Sequence, residues 1–260
     1  MAHSVSIVTG AARQKAPPQF ADWWSDFVDP DARSHTLIPF LMRVIGSRVK
    51  VLDLCAGLGI EALALAAANK QVTANELDPN FGRILRHNVA ATQSSLRTTR
   101  VDWRRLNLRF APSSFEAALM LGNSLCLLLD VEDQRRAAHQ IAALIEPGGL
   151  LCIDRRNFER VLSGGPCDGA GAFPYSRRVM YCGKGVSGYP VRTSVQKVVF
   201  RYEDGAGRPL GVLEMLPMLQ EHMVELFESA CLRHVSSHYD LDTARCSEES
   251  DFVTHLFERS

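Results

Sequence analysis

Hydrophobic and polar positions follow two rhythms along this chain. Between residues 49 and 158, short apolar runs take turns with longer stretches of helical period. The runs predict strands near 49–54, 71–76, 98–102, 115–121 and 149–154. The 3.6-residue spacing predicts helices near 60–69, 79–92 and 132–146. Leu144-Ile145-Glu146-Pro147-Gly148-Gly149-Leu150-Leu151 reads as a helix end, a turn and the next buried strand. Such alternation with short connections predicts an α/β fold: a doubly wound, mostly parallel sheet with helices on both faces.

The flanks differ. Residues 1–16 read as a mobile leader. Phe20, Trp23, Trp24, Phe27 and Val28 then form an aromatic stripe at helical spacing. That stripe predicts a helix packed on the core, a lid over a ligand, or one helix serving both ends. A second helix follows Asp31, with Leu37, Ile38, Phe40, Leu41, Val44 and Ile45 on its apolar side. Beyond 158, Ser163 to Ala172 reads as a loop. Strand-like runs at 176–182, 192–203 and 210–216, with a turn at Asp204-Gly205-Ala206-Gly207, predict an antiparallel platform. A helix near 217–231 and strands near 233–240 and 251–257 close the chain. The expected organisation is a leader and helical lid over 1–48, then a ligand-binding α/β domain over 49–260 that includes the platform.

Charge narrows the partners. The formal net charge is +0 and the arginine pairs are scattered, so no basic patch favours nucleic acid or a membrane surface. No apolar run approaches the ~18 residues needed to span a bilayer, and Met1 to Ala11 lacks the pattern of a signal peptide. The seven cysteines are dispersed without a C-x-x-C, and Cys55, Cys126, Cys152 and Cys231 read as small core residues in apolar runs. The eight histidines show no metal-ligand spacing. A cytoplasmic protein without a metal site is expected, acting on a small molecule. The oligomeric state is left open, a homo-oligomer included.

The chemistry concentrates in Val51-Leu52-Asp53-Leu54-Cys55-Ala56-Gly57-Leu58-Gly59-Ile60-Glu61: a buried strand, a glycine turn and the start of an Ala/Leu-rich helix. Such a unit cradles a nucleotide on the helix N-terminus. Glu76 follows Gly57 by 19 positions, where a ribose-binding carboxylate is expected. A dinucleotide fingerprint needs a third glycine, but Glu61 and Ala62 follow Gly59. Glu61 would also repel a pyrophosphate. Acids at 53 and 61 suit a cationic nucleotide such as S-adenosylmethionine, which carries an ammonium, a sulfonium and a ribose. A nicotinamide oxidoreductase is therefore disfavoured.

With those residues in view, the chain resembles the class I S-adenosylmethionine-dependent methyltransferases, and within them the glycine N-methyltransferase group. Besides the Asp53–Gly59 segment and Glu76, the resemblance rests on Asp102-Trp103, Leu121-Gly122-Asn123-Ser124, Pro147-Gly148-Gly149, Asp154-Arg155-Arg156-Asn157 and Gln19-Phe20-Ala21-Asp22, covering residues 19 to about 160. It implies a Rossmann-like seven-stranded sheet. It also implies a cofactor site of Trp23, His35, Asp53, Cys55, Gly57, Gly59, Glu76, Leu77, Asp102, Trp103, Leu121 and Gly122. Asn123 and Phe20 stand at the implied catalytic positions, and Arg156, Asn123 and Trp24 at the substrate positions. Arg156 or its neighbour Arg155 would fork a substrate carboxylate, and Asn123 would aim the nucleophilic nitrogen through a backbone or side-chain carbonyl.

Three departures stand out. The family tyrosine is Phe20 here, without a hydroxyl. The family Arg-Ser-Arg-Thr is Arg33-Ser34-His35-Thr36, putting a histidine where an arginine meets the cofactor carboxylate. The segment between Phe20 and Arg33 is shorter. These count against glycine itself as the acceptor and affect the expectation of methyl transfer little. The expectation is a bacterial methyltransferase acting on a nitrogen of an amino-acid-like substrate. An enzyme of secondary metabolism methylating an indole or another aromatic carbon or ring nitrogen is the alternative. A non-catalytic cofactor-binding protein is a third.

Overall fold

The computed structural model describes residues 20–169, 185–242 and 249–260. Seven strands form one sheet, in chain order β1 (Lys50–Asp53), β2 (Gln71–Asn75), β3 (Arg97–Thr99), β4 (Phe115–Met120), β5 (Ile145–Arg156), β9 (Leu232–Tyr239) and β10 (Phe252–Arg259). Their spatial order is β3-β2-β1-β4-β5-β10-β9. β1 through β5 run parallel, and β10 returns antiparallel between β5 and β9. The chain steps from β1 to β2 on one side and later to β4 on the other, so the order reverses at β1. Ligands of doubly wound sheets sit in the crevice at such a reversal, outside the carboxyl ends of the strands.

Local chemistry fixes the helices. Asp29 and Asp78 cap α2 (Pro30–Ile45) and α4 (Pro79–Ala91), each accepting two main-chain N–H groups. A proline at the first helical position follows each cap, where its missing N–H costs nothing. The other α-helices among the described residues are α1 (Phe20–Phe27), α3 (Ile60–Ala67), α5 (Val131–Leu144), α6 (Phe158–Gly164) and α7 (Gln220–Glu228). A single apolar cluster joins α1 and α2 to the sheet core at Val51, Leu52, Ala118 and Leu119.

A second, antiparallel sheet holds β6 (Val186–Thr193), β7 (Val198–Asp204) and β8 (Pro209–Met215). The antiparallel platform thus forms, with corrected strands. The expected strand at 176–182 and the leader at 1–16 lie outside the described residues. The expected strand at 192–203 is two strands joined by a tight turn, in which Ser194 and Lys197 exchange main-chain hydrogen bonds of 2.9 and 3.2 Å. Val191-Arg192-Thr193-Ser194-Val195-Gln196-Lys197-Val198 has no glycine, proline or asparagine to mark that turn. The expected helix at 132–146 stops at Leu144, and Pro147-Gly148-Gly149 lies within β5 as a bulge, not ahead of it. Against β4, the pairing jumps from Ile145 to Leu150 while the partner advances only from Phe115 to Ala117.

Candidate active site

A cavity of about 310 Å³ opens at the carboxyl ends of β1 through β5, walled on the far side by α1 and β7–β8. Asp102 after β3, Glu76 after β2, Asp53 on β1, Asn123 after β4 and Arg156 on β5 all line it. Five neighbouring strand ends at ~4.8 Å spacing span roughly 19 Å. The lining residues therefore stand in an ordered row, carboxylates first and Arg156 last.

The carboxylate half is built on the β1–α3 turn. Gly57 (φ +55°) and Gly59 (φ +86°) take the left-handed conformation that glycine adopts without strain. A side chain at Gly57 would meet no protein atom within 4 Å, which leaves that approach open to a ligand. Glu76 fixes the turn: Gly57 N–H donates to Oε2 at 2.9 Å, and Asp78 N–H to Oε1 at 2.7 Å. Asp53 is buried, and burial together with the Glu61 charge pushes its pKa up to about 8. A positive charge brought beside such a carboxyl favours its ionised form. Asp102 is gripped by Arg104 at 2.6 and 3.0 Å, and that hydrogen bonding holds its carboxyl below the usual range. Open space at Gly57, a buried acid awaiting a cation and a carboxylate on the turn together fit S-adenosylmethionine.

Four residues expected at the cofactor stand outside the cavity lining. His35 lies on the outer side of α2, exposed, with Nδ1 2.7 Å from the Asp31 carbonyl oxygen. The helix turns Arg33 and Leu37 inward together, and a residue two positions on from Arg33 faces away. Trp103 is a core plug, its indole N–H donating to the Leu54 carbonyl at 2.6 Å beneath the end of β1. Trp23 is buried against Phe20 and Tyr202, one helical position off the row Phe20, Trp24, Phe27 that reaches the cavity. Gly59 lies behind the wall, where a Cβ would come within 2.6 Å of the Leu85 side chain. Cys55, Leu77, Leu121 and Gly122 line the cavity, and the Cys55 thiol donates to the Leu121 carbonyl at 3.0 Å.

Glu61 also differs from expectation. Its Oε1 accepts from Arg33 Nε at 2.6 Å and pairs with Nη2 at 2.5 Å, with both side chains buried. Its charge is thus balanced within the protein instead of facing a ligand cation. Arg33 lines the cavity, and sequence reasoning missed it because the family motif directs attention to position 35.

The other half is aromatic and, among the described residues, carries one inward arginine. Alternation along β5 sends Arg155 and Arg156 to opposite faces. Arg155 turns away to Glu159 (2.6 and 3.1 Å) and to His255 Nε2 (3.1 Å). Burial beside that cation pushes the His255 pKa down to about 2, so the ring is neutral and accepts. Arg156 reaches the cavity with its guanidinium 4.2 Å from the Phe200 ring centre and 5.1 Å from that of Phe252, and it hydrogen-bonds the Tyr202 hydroxyl. Asn123, with φ +58°, is tied down on three sides: its N–H donates to Asp154 Oδ1 at 2.7 Å, its side-chain oxygen accepts from Arg156 N–H at 2.9 Å, and its amide nitrogen meets Met215 Sδ at 3.0 Å. The side-chain carbonyl expected to aim an acceptor is thus engaged with β5, leaving its second lone pair or the main-chain carbonyl for that role. Asp154 is buried, its Oδ2 has no hydrogen-bond partner among the described residues, and burial pushes its pKa up to about 6.

Tyr202, Met215, Phe81 and Phe252 complete the wall, and none carries a short-range sequence signal. Of the cysteines read as core, Cys126 and Cys152 are buried, whereas Cys231 is exposed at the end of α7 with φ +65°.

Residues 51–149 match a family model described as a methyltransferase domain. The chain is 30% identical, over 252 residues, to a glycine/sarcosine N-methyltransferase of Parasynechococcus marenigrum, covering 95% of this chain and 85% of that one. Among solved structures it resembles the CcbJ methyltransferase of Streptomyces caelestis, with a TM-score of 0.76, 18% identity, and 96% and 99% of the two chains covered. It also resembles an S-adenosylmethionine-dependent methyltransferase of Clostridium acetobutylicum, with a TM-score of 0.72, 16% identity, and 93% and 98% covered. At these identities the two structures attest a shared fold.

Proposed function

The chain belongs to the S-adenosylmethionine-dependent methyltransferases, in the family of the glycine/sarcosine N-methyltransferases, and from that membership we propose that it methylates the nitrogen of a carboxylate-bearing amine held by Arg156. The observation that carries this reading is Arg156 itself: a buried guanidinium in the cavity, at the end of the strand beside Asn123. An arginine fork binds a carboxylate in two-pronged fashion and fixes its angle.

The cofactor supplies a methyl carbon already activated by sulfonium: the amine lone pair forms the N–C bond as the C–S bond breaks, the bonding pair stays on sulfur, and the amine proton passes to water. The protein's own part is alignment and exclusion of solvent. Glu76 holds the glycine turn and faces the ribose. Asp53 takes the amino group. Arg33, not His35, meets the carboxylate of the cofactor, and Asp102 closes the adenine end. Arg156 and the main chain at Asn123 orient the acceptor, and α1 covers it with Phe20 and Trp24. The enzyme acts in the cytoplasm, in keeping with the unpaired state of the cysteines among the described residues.

The aromatic wall favours a second reading, a flat ring acceptor stacked on Trp24 and methylated at carbon or ring nitrogen. The test is to incubate the protein with S-adenosylmethionine and two panels, amino acids and indoles. A product one methyl heavier only in the amino-acid panel supports the first reading, and one only in the indole panel replaces it with the second.

A further inference from the structure

The acceptor end of the cavity is walled largely by rings. Its one inward cation among the described residues, Arg156, is surrounded by rings: Phe200 and Phe252 against the guanidinium, and Tyr202 on its hydrogen-bonding edge. From Tyr202 the ring contacts run on to Phe20 at 5.3 Å and Trp24 at 6.3 Å. The amide nitrogen of Asn123 is already engaged by Met215 Sδ at 3.0 Å. Two glycines make this wall possible. A Cβ at Gly211 would sit 2.8 Å from the Phe20 ring, and one at Gly188 would sit 2.6 Å from Tyr202. The platform has thus cleared space for aromatic rings at the acceptor end.

A glycine molecule offers this surface an ammonium and a carboxylate and nothing apolar to bury. The position where the family carries a tyrosine hydroxyl is Phe20, which cannot hydrogen-bond it. We propose that the acceptor is an α-amino acid with an apolar side chain, its carboxylate on Arg156 and its side chain against Phe20, Trp24 and Met215. This rests on the amino-acid reading above and narrows it. The added element is burial of three or more carbons, and each methylene in an apolar pocket is worth on the order of ten-fold or more in discrimination.

The experiment compares kcat/KM, at saturating S-adenosylmethionine, for glycine, sarcosine, dimethylglycine, alanine, leucine and phenylalanine. The expected order rises with side-chain size, with leucine or phenylalanine at least ten-fold above glycine. In Trp24→Ala that ratio shrinks at least three-fold, because the large side chain loses the wall and glycine had none to lose. Tyrosine at 20 (Phe20→Tyr) moves the ratio in the same direction. Preference for glycine, sarcosine or dimethylglycine overturns the inference while the amino-acid reading stands. A ratio unmoved by Trp24→Ala, in a variant that still binds S-adenosylhomocysteine, also overturns it. Turnover of no amino acid by a protein that binds S-adenosylhomocysteine brings down the amino-acid reading itself.

Discussion

The two halves of the cavity are made by different means. The carboxylate half rests on residues close in the chain: Asp53, Gly57, Glu61 and Glu76 fall within 24 positions and belong to one strand–turn–helix–strand unit. Asp53 and Glu76 accept from main-chain N–H groups, so their geometry is set by backbone that the whole fold dictates. The aromatic half is assembled from α1, β5, β7, β8 and β10, which span more than 230 residues of chain. Its geometry depends on ring packing and on absent side chains at Gly188 and Gly211. The first kind of site serves a ligand common to a superfamily, and the second kind can change acceptor without disturbing it.

That contrast yields a graded set of expectations. The largest concerns Arg156. Replacement by alanine removes the acceptor's partner and should lower kcat/KM for a carboxylate-bearing amine by at least a hundred-fold, about 2.7 kcal/mol and within the usual cost of breaking a buried charged pair. Affinity for S-adenosylhomocysteine, measured by calorimetry, should stay within two-fold. Lysine keeps the charge but loses the fork, so it should recover only part of the rate. Equal losses in cofactor affinity and acceptor kinetics would mean the halves are not separate.

Next comes the mirror case. Glu76→Ala removes a carboxylate that accepts from Gly57 and Asp78, and it should weaken S-adenosylhomocysteine by ~1.5–3 kcal/mol. The KM for the acceptor should barely change. Unaltered cofactor affinity would show that the turn, and not the acid, provides the binding.

A finer test separates Arg33 from His35. Arg33→Gln should weaken S-adenosylhomocysteine several-fold yet leave the decarboxylated analogue unaffected, and His35→Ala should change neither. If Arg33→Gln weakened both ligands alike, its role would be confined to the ion pair with Glu61.

The pH dependence isolates Asp53. Its folded pKa of about 8 stands above the ordinary 3.8, so the folded, ligand-free protein holds this proton more tightly than the unfolded chain does. The associated stability is complete below about pH 4 and is lost as pH rises through 8. Binding of a cationic ligand requires the ionised form, so affinity for S-adenosylhomocysteine should rise between pH 6 and 8. Melting temperature and calorimetric affinity measured across that range should both flatten in Asp53→Asn. A wild-type affinity independent of pH would remove Asp53 as the seat of the cation.

The smallest effect is on α1. Hydrogen exchange over residues 20–30 should slow with S-adenosylhomocysteine and acceptor bound, if the helix covers the site. Equal protection with and without ligand would leave it a core element alone.

Legibility followed the same division. The parallel sheet, the glycine turn and Glu76 could be read because strand period, turn residues and a fixed spacing all lie within about 30 residues of sequence. Arg156 could be read only as one of an adjacent pair, since which arginine faces inward depends on the bulged register of β5. Position 35 misled because a motif records residue types, while the helix face decides which of them points in. Trp103 and Trp23 are aromatic residues expected at a ligand and used as core, a distinction that only packing makes. Tyr202, Met215 and the ring-clearing glycines were hidden because nothing local ties β7 and β8 to the strand ends. The turn at Ser194–Lys197, without glycine or proline, concealed even where those strands begin.

The measurement that bears most directly on the account is methylation of an amino acid against its own primary amide. The two share nitrogen, side chain and size, and differ in the charge offered to Arg156. The wild-type protein with S-adenosylmethionine should methylate the acid at least a hundred times more efficiently, and Arg156→Ala should erase most of that difference. Equal turnover of acid and amide by the wild type would contradict the role given to Arg156, and with it the carboxylate-bearing acceptor.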